Sequence, residues 1–180
     1  MSPTLKQTYQ KHAIPALRKE FGITNVMAVP RILKVVVNTG TGRTRKEGEF
    51  LKKVERDMSL LTGQKASARA SKKSVSSFKV REGETVGYAV TLRGSRMWDF
   101  LQRLISLALP VSKDFRGIET SSVDRAGNLN LGIREHSIFP EIVLENIKDI
   151  FGLQVTVVTT AKTHDRGLSL FRHLGFPIKK

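Results

Sequence analysis

Apolar positions recur at helical spacing in some stretches of the chain and with a period of two in others, and the two patterns interleave. Leu5, Tyr9, His12/Ala13, Leu17 and Phe21 lie on one helical stripe, with Gly22 where a C-terminal glycine cap would stand. Pro15 interrupts that stripe; it either kinks the helix or opens a second segment at its first turn. Ile32–Thr39 reads as a strand bounded by Pro30 and Gly40, with Leu33, Val35 and Val37 on one face and Lys34, Val36 and Asn38 on the other. A second helix carries Phe50, Leu51, Val54, Met58 and Leu61 and closes at Gly63. Ser76-Phe78-Val80 and Val86-Tyr88-Val90-Leu92 then alternate around Glu82-Gly83-Glu84-Thr85, which predicts a β-hairpin. The other face of its second strand is Gly87, Ala89, Thr91 and Arg93, small, polar and cationic, with nothing to bury.

Ser95 can cap a helix with Met97, Leu101, Leu104, Ile105 and Ala108 inward and Pro110 at its end; Trp98 falls at the rim of that stripe, a core-edge position rather than a base-stacking one. Ile118–Val123 and Leu129–Arg134 read as strands around the turn Asp124–Asn128. Glu141–Ile150 follows Pro140 as a short helix, and Leu153–Thr160 is a strand. Thr163 can cap a last helix with Leu168, Phe171 and Leu174 inward, ending at Gly175. Strands interleaved with helices predict an α+β fold: one domain over 1–180, a mostly antiparallel sheet, helices packed on one face, and the other face open.

Charge sharpens this picture. Lys plus Arg number 31 against 16 Asp plus Glu, a formal net charge of +15. A globular chain so basic repels itself unless an anion screens it; nucleic acid is the first candidate and an anionic membrane surface the second. From Arg69 to Arg81 the cations Arg69, Lys72, Lys73, Lys79 and Arg81 follow one another with no acidic residue between them. An ordinary solvated hairpin would show the same run, so locally both readings stand. Phe78 alternates with Val80, which predicts a core position over base stacking.

With 39% apolar residues the chain can build a core, and with no cysteine it has neither a disulfide scaffold nor Cys-ligated metal. That fits a reducing compartment. MSPTLKQTYQKH lacks the apolar centre of a signal peptide, and Leu104–Val111 is too short to span a bilayer, so a soluble intracellular protein is expected. No reacting constellation assembles. His12, His136, His164 and His173 show no metal-type spacing, Gly40-x-Gly42 lacks the third glycine of a dinucleotide loop, and Glu135 and His136, as strand neighbours, would face opposite sides. No enzyme, cofactor or metal site is predicted.

The segments NVMAVPRI (25–32), KVVVNTGTG (34–42), TGQK (62–65), KKSVSSFKVREG (72–83), VTLRGSRMWDFLQRLI (90–105), DFRGI (114–118), DRAGNLNLGIREHSIFPEI (124–142), TTAK (159–162) and GFPIKK (175–180) run in order along nearly the whole chain. In them the chain resembles the family of bacterial-type ribosomal large-subunit protein five, which attaches 5S rRNA to the large subunit. The resemblance implies a sheet face docked on 5S rRNA and large-subunit rRNA in the central protuberance of cytoplasmic ribosomes, with the protein monomeric there. It also implies a loop near P-site tRNA and a bridge to ribosomal protein thirteen of the small-subunit head. Carried onto matching positions, the rRNA-facing set is Lys34, Asn38, Gln64, Lys65, Thr91 and Arg93, and the tRNA-side set is Lys72, Lys73, Lys79 and Arg81. Ala89 stands where such proteins often place a lysine, and Val143–Phe151, on the small-subunit side, matches poorly. On this reading cations neutralise phosphate and release counterions, while Asn38, Gln64 and Thr91 hydrogen-bond 2′-hydroxyls and exposed bases. A free RNA chaperone or translation factor with the same basic sheet is the competing binding reading, and a nucleotide-dependent enzyme using the Gly40 loop is the competing catalytic one.

Overall fold

The structure, a computed structural model, describes residues 3–42, 47–112, 115–142 and 150–179. Its architecture is α+β, with an antiparallel sheet whose five strands are ordered β2-β3-β1-β5-β4. The strands are β1 (Ile32–Gly40), β2 (Ser67–Ala70), β3 (Thr85–Leu92), β4 (Leu129–Ile133) and β5 (Leu153–Thr159). The chain divides into two compact units: Met1–Val35 with Arg93–Leu131 and Thr156–Lys180, and Val36–Leu92 with Gly132–Val155.

In the first unit the N-terminal helical run is α1 (Leu5–Thr8), a π-turn over Tyr9–Ala13 and α2 (Ile14–Phe21), closed by Gly22 at φ 63°. Pro15 explains the π-turn. Its nitrogen has no hydrogen for the preceding turn and its ring crowds the carbonyl below, so the helix widens just ahead of it and the Ile14 N–H reaches back to the Tyr9 carbonyl. The same solution recurs at Pro110. Helix α4 (Gly94–Arg103) widens over Leu104–Ala108, the Leu109 N–H reaches the Leu104 carbonyl, and α5 (Leu109–Val111) carries Pro110 in its first turn. Pro110 therefore does not end the helix where its chemistry predicts, and Arg93 rather than Ser95 holds the N-cap position.

Leu5 donates its N–H to Gln102 Oε1 (2.7 Å), and the Tyr9 ring leans on Trp98 with centroids 5.7 Å apart. Trp98 is half-buried, as its place at the stripe's edge predicts. Helix α6 (His164–His173) buries Gly167, Leu170 and Phe171, while Leu168 is half-buried. Gly167 rather than Leu168 takes the innermost position because the helix lies backbone to backbone on the Asp124–Asn128 turn. A Cβ on Gly167 would stand 2.5 Å from Gly127 Cα. Ile118–Val123 is not a strand. Ile118 and Val123 each form an isolated bridge, to Ile178 and Leu129, and a 3₁₀ turn at Thr120–Ser122 separates them.

In the second unit α3 (Gly48–Thr62) packs on β3 through Val54, Met58 and Leu61, all fully buried. Burying side chains of this size contributes about 1.5–3 kcal/mol each. Tyr88 of β3 is buried; burial, then the Glu55 carboxylate, raises its phenol above the usual range. Gly63, at φ 64°, closes α3. β2 pairs antiparallel with β3, Ser67 opposite Ala89 and Arg69 opposite Gly87, with a bulge at Arg69/Ala70. The predicted hairpin thus exists with a different first strand. Ser76–Phe78 is a 3₁₀ turn, and Val80 bridges to Val75 as an isolated pair rather than within a strand. The predicted helix Glu141–Ile150 falls mainly on 143–149, outside the described residues. Among the described residues no helix is long and apolar enough to cross a membrane.

Candidate nucleic-acid interface

Alternation along β1 sets which groups reach the surface. Val35, Val37 and Thr39 are buried, Lys34 and Val36 are half-buried, and Asn38 is exposed. Leu33, expected to be buried beside Val35 and Val37, is 41% exposed instead, although it shares their parity; burial on this face begins at Val35. One of the two neighbours of β1 in the sheet is β3. There Tyr88, Val90 and Leu92 are buried and Thr91, of the opposite parity, is half-exposed.

Gly87 and Ala89 share the parity of Thr91 but are buried, against the expectation of an open surface. For Gly87 the reason is direct: the Thr39 carbonyl oxygen occupies the space a Cβ would need. The Thr41 N–H donates to the Val86 carbonyl (2.9 Å), so the end of β1 is laced across this part of β3. Gly87 and Ala89 therefore present no exposed side chain here, and Thr91 is a half-exposed residue of that parity on β3.

Gln64 and Lys65 leave the end of α3 through a turn held by side-chain bonds. Ser59 Oγ donates to the Glu55 carbonyl (2.6 Å) and accepts the Ala66 N–H (3.1 Å). Thr62 Oγ1 lies 2.7 Å from the Met58 carbonyl and 3.0 Å from that of Gln64. Gln64 Nε2 donates to the Thr91 carbonyl (3.3 Å), so Gln64 and Thr91 are brought together. Lys65 is exposed, and with Lys52, Arg56 and Gln64 it lines a groove that Glu55, Ser59 and Gly63 complete. The remaining members of the set expected to face rRNA, Lys34 and Arg93, belong to the first unit. Arg93 is exposed and extended (φ −141°, ψ 165°) immediately before α4.

The second basic set lies on the loop joining β2 to β3, and that loop is well tied. The Ser71 N–H donates to the Glu84 carbonyl (2.9 Å) and the Gly83 N–H to the Ser71 carbonyl (3.0 Å). Val75 and Val80 exchange both backbone bonds (3.0 and 3.2 Å), the Glu82 N–H reaches Ser74 Oγ (3.0 Å), and the Arg81 N–H reaches Glu84 Oε2 (3.1 Å). Lys72, Lys73, Lys79 and Arg81 are all exposed. A hollow of about 820 Å³ on this loop is lined by Ser74, Ser76, Lys79, Val80, Arg81, Glu82 and Glu84. Phe78 is 72% exposed, so it is not a core residue. Its parity with Val80 carried no information once the segment proved to be a turn.

His136, unremarked by its spacing, is wholly buried in the second unit. It stacks on Phe151 (centroids 3.9 Å, planes 14° apart), and its Nδ1 accepts the Phe151 N–H (3.3 Å). Nε2 lies 3.6 Å from Asp57 Oδ2, too far for a hydrogen bond. Its ring is part of the packing. Among the described residues no cluster of His, Cys, Asp and Glu could hold a metal ion.

Two family models match the chain: "Ribosomal protein L5" over residues 25–81 and "ribosomal L5P family C-terminus" over residues 85–178. A protein of Thermobifida fusca called "Large ribosomal subunit protein uL5" is 46% identical over 178 residues, covering 99% of this chain and 93% of that protein. The protein of the same name from Microcystis aeruginosa is 45% identical over 179 residues, covering 99% of this chain and all (100%) of its own length. That of Acidothermus cellulolyticus is 43% identical over 178 residues, 99% of this chain and 91% of its own.

Proposed function

The chain belongs to the ribosomal protein L5 family, and on that premise we propose that it binds 5S rRNA and helps hold it in the central protuberance. As a member it is a constituent of the large ribosomal subunit and not an enzyme. We read its place as the cytoplasmic ribosome, with 1–180 acting as one RNA-binding domain. The rRNA contacts fall to Lys34, Asn38, Gln64, Lys65, Thr91 and Arg93. The loop cations Lys72, Lys73, Lys79 and Arg81 face P-site tRNA, and a further surface bridges to protein thirteen of the small-subunit head.

The observation that carries the rRNA reading is Asn38. It is an exposed amide between buried Val37 and Thr39, on a strand whose own hydrogen bonds fix its direction. Rigid strand placement spares the entropy of ordering a loop, and the amide can both donate to and accept from RNA edges. Cations supply the bulk of the affinity through counterion release, and polar groups such as Asn38 set the register. The test is equilibrium binding of the full chain to 5S rRNA. Asn38→Ala should weaken it by about 1 kcal/mol, the value of one hydrogen bond, with an unchanged melting temperature. Equal affinity of variant and parent would place Asn38 off the RNA.

A further inference from the structure

Phe78 is the most exposed aromatic side chain on the β2–β3 loop, and nothing about its setting is loose. The exchange of backbone bonds between Val75 and Val80 closes a clip whose tip is the 3₁₀ turn Ser76–Phe78. The Lys79 N–H returns to the Ser76 carbonyl (3.0 Å), and Lys79 itself takes a left-handed conformation at φ 51°. A lysine gains nothing by itself from that conformation, so the loop's other bonds hold it there. The consequence is a large apolar ring presented to solvent at 72% exposure, with Val75 beside the clip at 38%.

An exposed ring of this kind has to be read with its neighbours. Lys79 follows it directly, Arg81 lies on the same clip, and Lys72 and Lys73 precede it, all exposed. A protein partner that buried Phe78 would have to desolvate or pair these cations as well. A polyanion with flat, stackable groups suits both features at once: phosphates for the cations, a π-face for the ring. The hydroxyls of Ser74 and Ser76 and the carboxylates of Glu82 and Glu84 on the adjoining hollow can accept or donate to the edge of a base seated there.

We propose that Phe78 is a base-stacking residue, taking one unpaired nucleotide of RNA against its face while Lys79 and Arg81 hold the adjoining phosphates. This deepens, and rests on, the reading of the loop as RNA-facing. The ring supplies what the cations cannot, a preference for an unstacked base over continuous duplex, because a base stacked between its neighbours offers no free face.

The experiment uses ribosomes carrying the full chain with Phe78→Ala, Phe78→Leu or Phe78→Trp, together with Lys72→Ala/Lys73→Ala, and maps base reactivity over the rRNAs and a bound deacylated tRNA. Phe78 is too exposed for these changes to unfold the chain. Loss of stacking should raise the reactivity of one unpaired base several-fold in the Ala and Leu variants, and Trp should restore protection. Protection by Leu equal to that by Phe would overturn the proposal in favour of simple apolar coverage of the base without stacking. An unchanged map for Phe78→Ala beside an altered one for Lys72→Ala/Lys73→Ala would sink the stacking and leave the loop on RNA. Unchanged maps for both would remove the loop from RNA and take the proposal with it.

Discussion

The carbonyl oxygen of Thr39 lies where a Cβ of Gly87 would be, so β1 and β3 meet here backbone to backbone. The obstacle is main chain and cannot rotate away. Gly87→Ala should therefore force the strands apart and cost on the order of 1–3 kcal/mol, the range seen when a packed site is overfilled. Gly132→Ala is the matched control: a Cβ there meets nothing within 4 Å. Urea denaturation of both variants checks the contrast. Equal stability of Gly87→Ala and parent would mean the strand ends give more readily than their hydrogen bonds suggest.

Arg93 lies in the first unit, exposed and without a side-chain cap role on α4. Its guanidinium is thus available for phosphate. If it makes one such contact with 5S rRNA, Arg93→Ala should lower the slope of log K against log salt by about 1. The net charge of +15 sets no such slope, because only the cations at the contact release counterions. Titrations at several salt concentrations give the answer, and an unaltered slope would remove Arg93 from the interface.

What the chain's pattern revealed and what it hid divide along physical lines. Long periodic stretches were legible: the Leu5–Phe21 stripe, the α3 stripe at Val54, Met58 and Leu61, and the alternation Val35-Val37 that leaves Asn38 outside. Charge was legible too, since Lys72, Lys73, Lys79 and Arg81 are all exposed. Pairing was not. Ser67–Ala70 has no β-branched residue and is a strand only because β3 lies beside it. Ser76-Phe78-Val80 has the right period, yet Ser76–Phe78 is a 3₁₀ turn and Val80 bridges to Val75 as an isolated pair. The burial of Gly87 and Gly167 depends on main chain distant in sequence, Thr39 and Gly127, and no local spacing announces that. Phe78 was misplaced for the same reason: parity predicts a face only where a strand exists.

Asp124 holds the turn beneath α6. Its Oδ1 accepts the Asn128 N–H (2.8 Å) and its Oδ2 the Asn128 side-chain amide (2.8 Å). Asn128 Oδ1 in turn accepts the Thr159 N–H (2.9 Å). Burial pushes the Asp124 carboxyl upward, but the hydrogen bonds from Asn128, Ala126 and Gly127 together outweigh it and leave the group below its ordinary value. A depressed folded-state value gives stability that is present above the unfolded value, about 3.9, and is lost as pH falls through the folded one. Asp124→Ala should accordingly be less stable than the parent at pH 7, and the gap should close below about pH 4 as the parent's carboxylate is protonated. Denaturation series at neutral and acid pH measure that gap; a constant difference would mean that charge plays no part in the turn.

The last prediction separates the two basic surfaces. Lys72 and Lys73 are exposed, and the bonds that tie their loop come from Ser71, Ser74, Val75, Val80, Gly83 and Glu84. Changing both lysines to alanine removes two cations without touching those bonds. Ser71 Oγ still reaches the carbonyl of residue 73 (2.8 Å), because the acceptor is main chain. Folding should therefore stay within about 0.5 kcal/mol of the parent, as for other exposed substitutions. Binding of isolated 5S rRNA should also survive, since Asn38, Gln64, Lys65 and Thr91 remain and the Gln64–Thr91 bond involves neither lysine. The defect should emerge in assembled ribosomes as faster dissociation of P-site tRNA. It should be most visible at low salt, where the parent's two lysines count most, and should narrow as salt screens them. Dissociation rates at several ionic strengths, set beside 5S rRNA affinities for the same protein, decide the matter. Lost 5S rRNA binding with normal tRNA retention would end the division of labour, because one surface would then have to serve both RNAs.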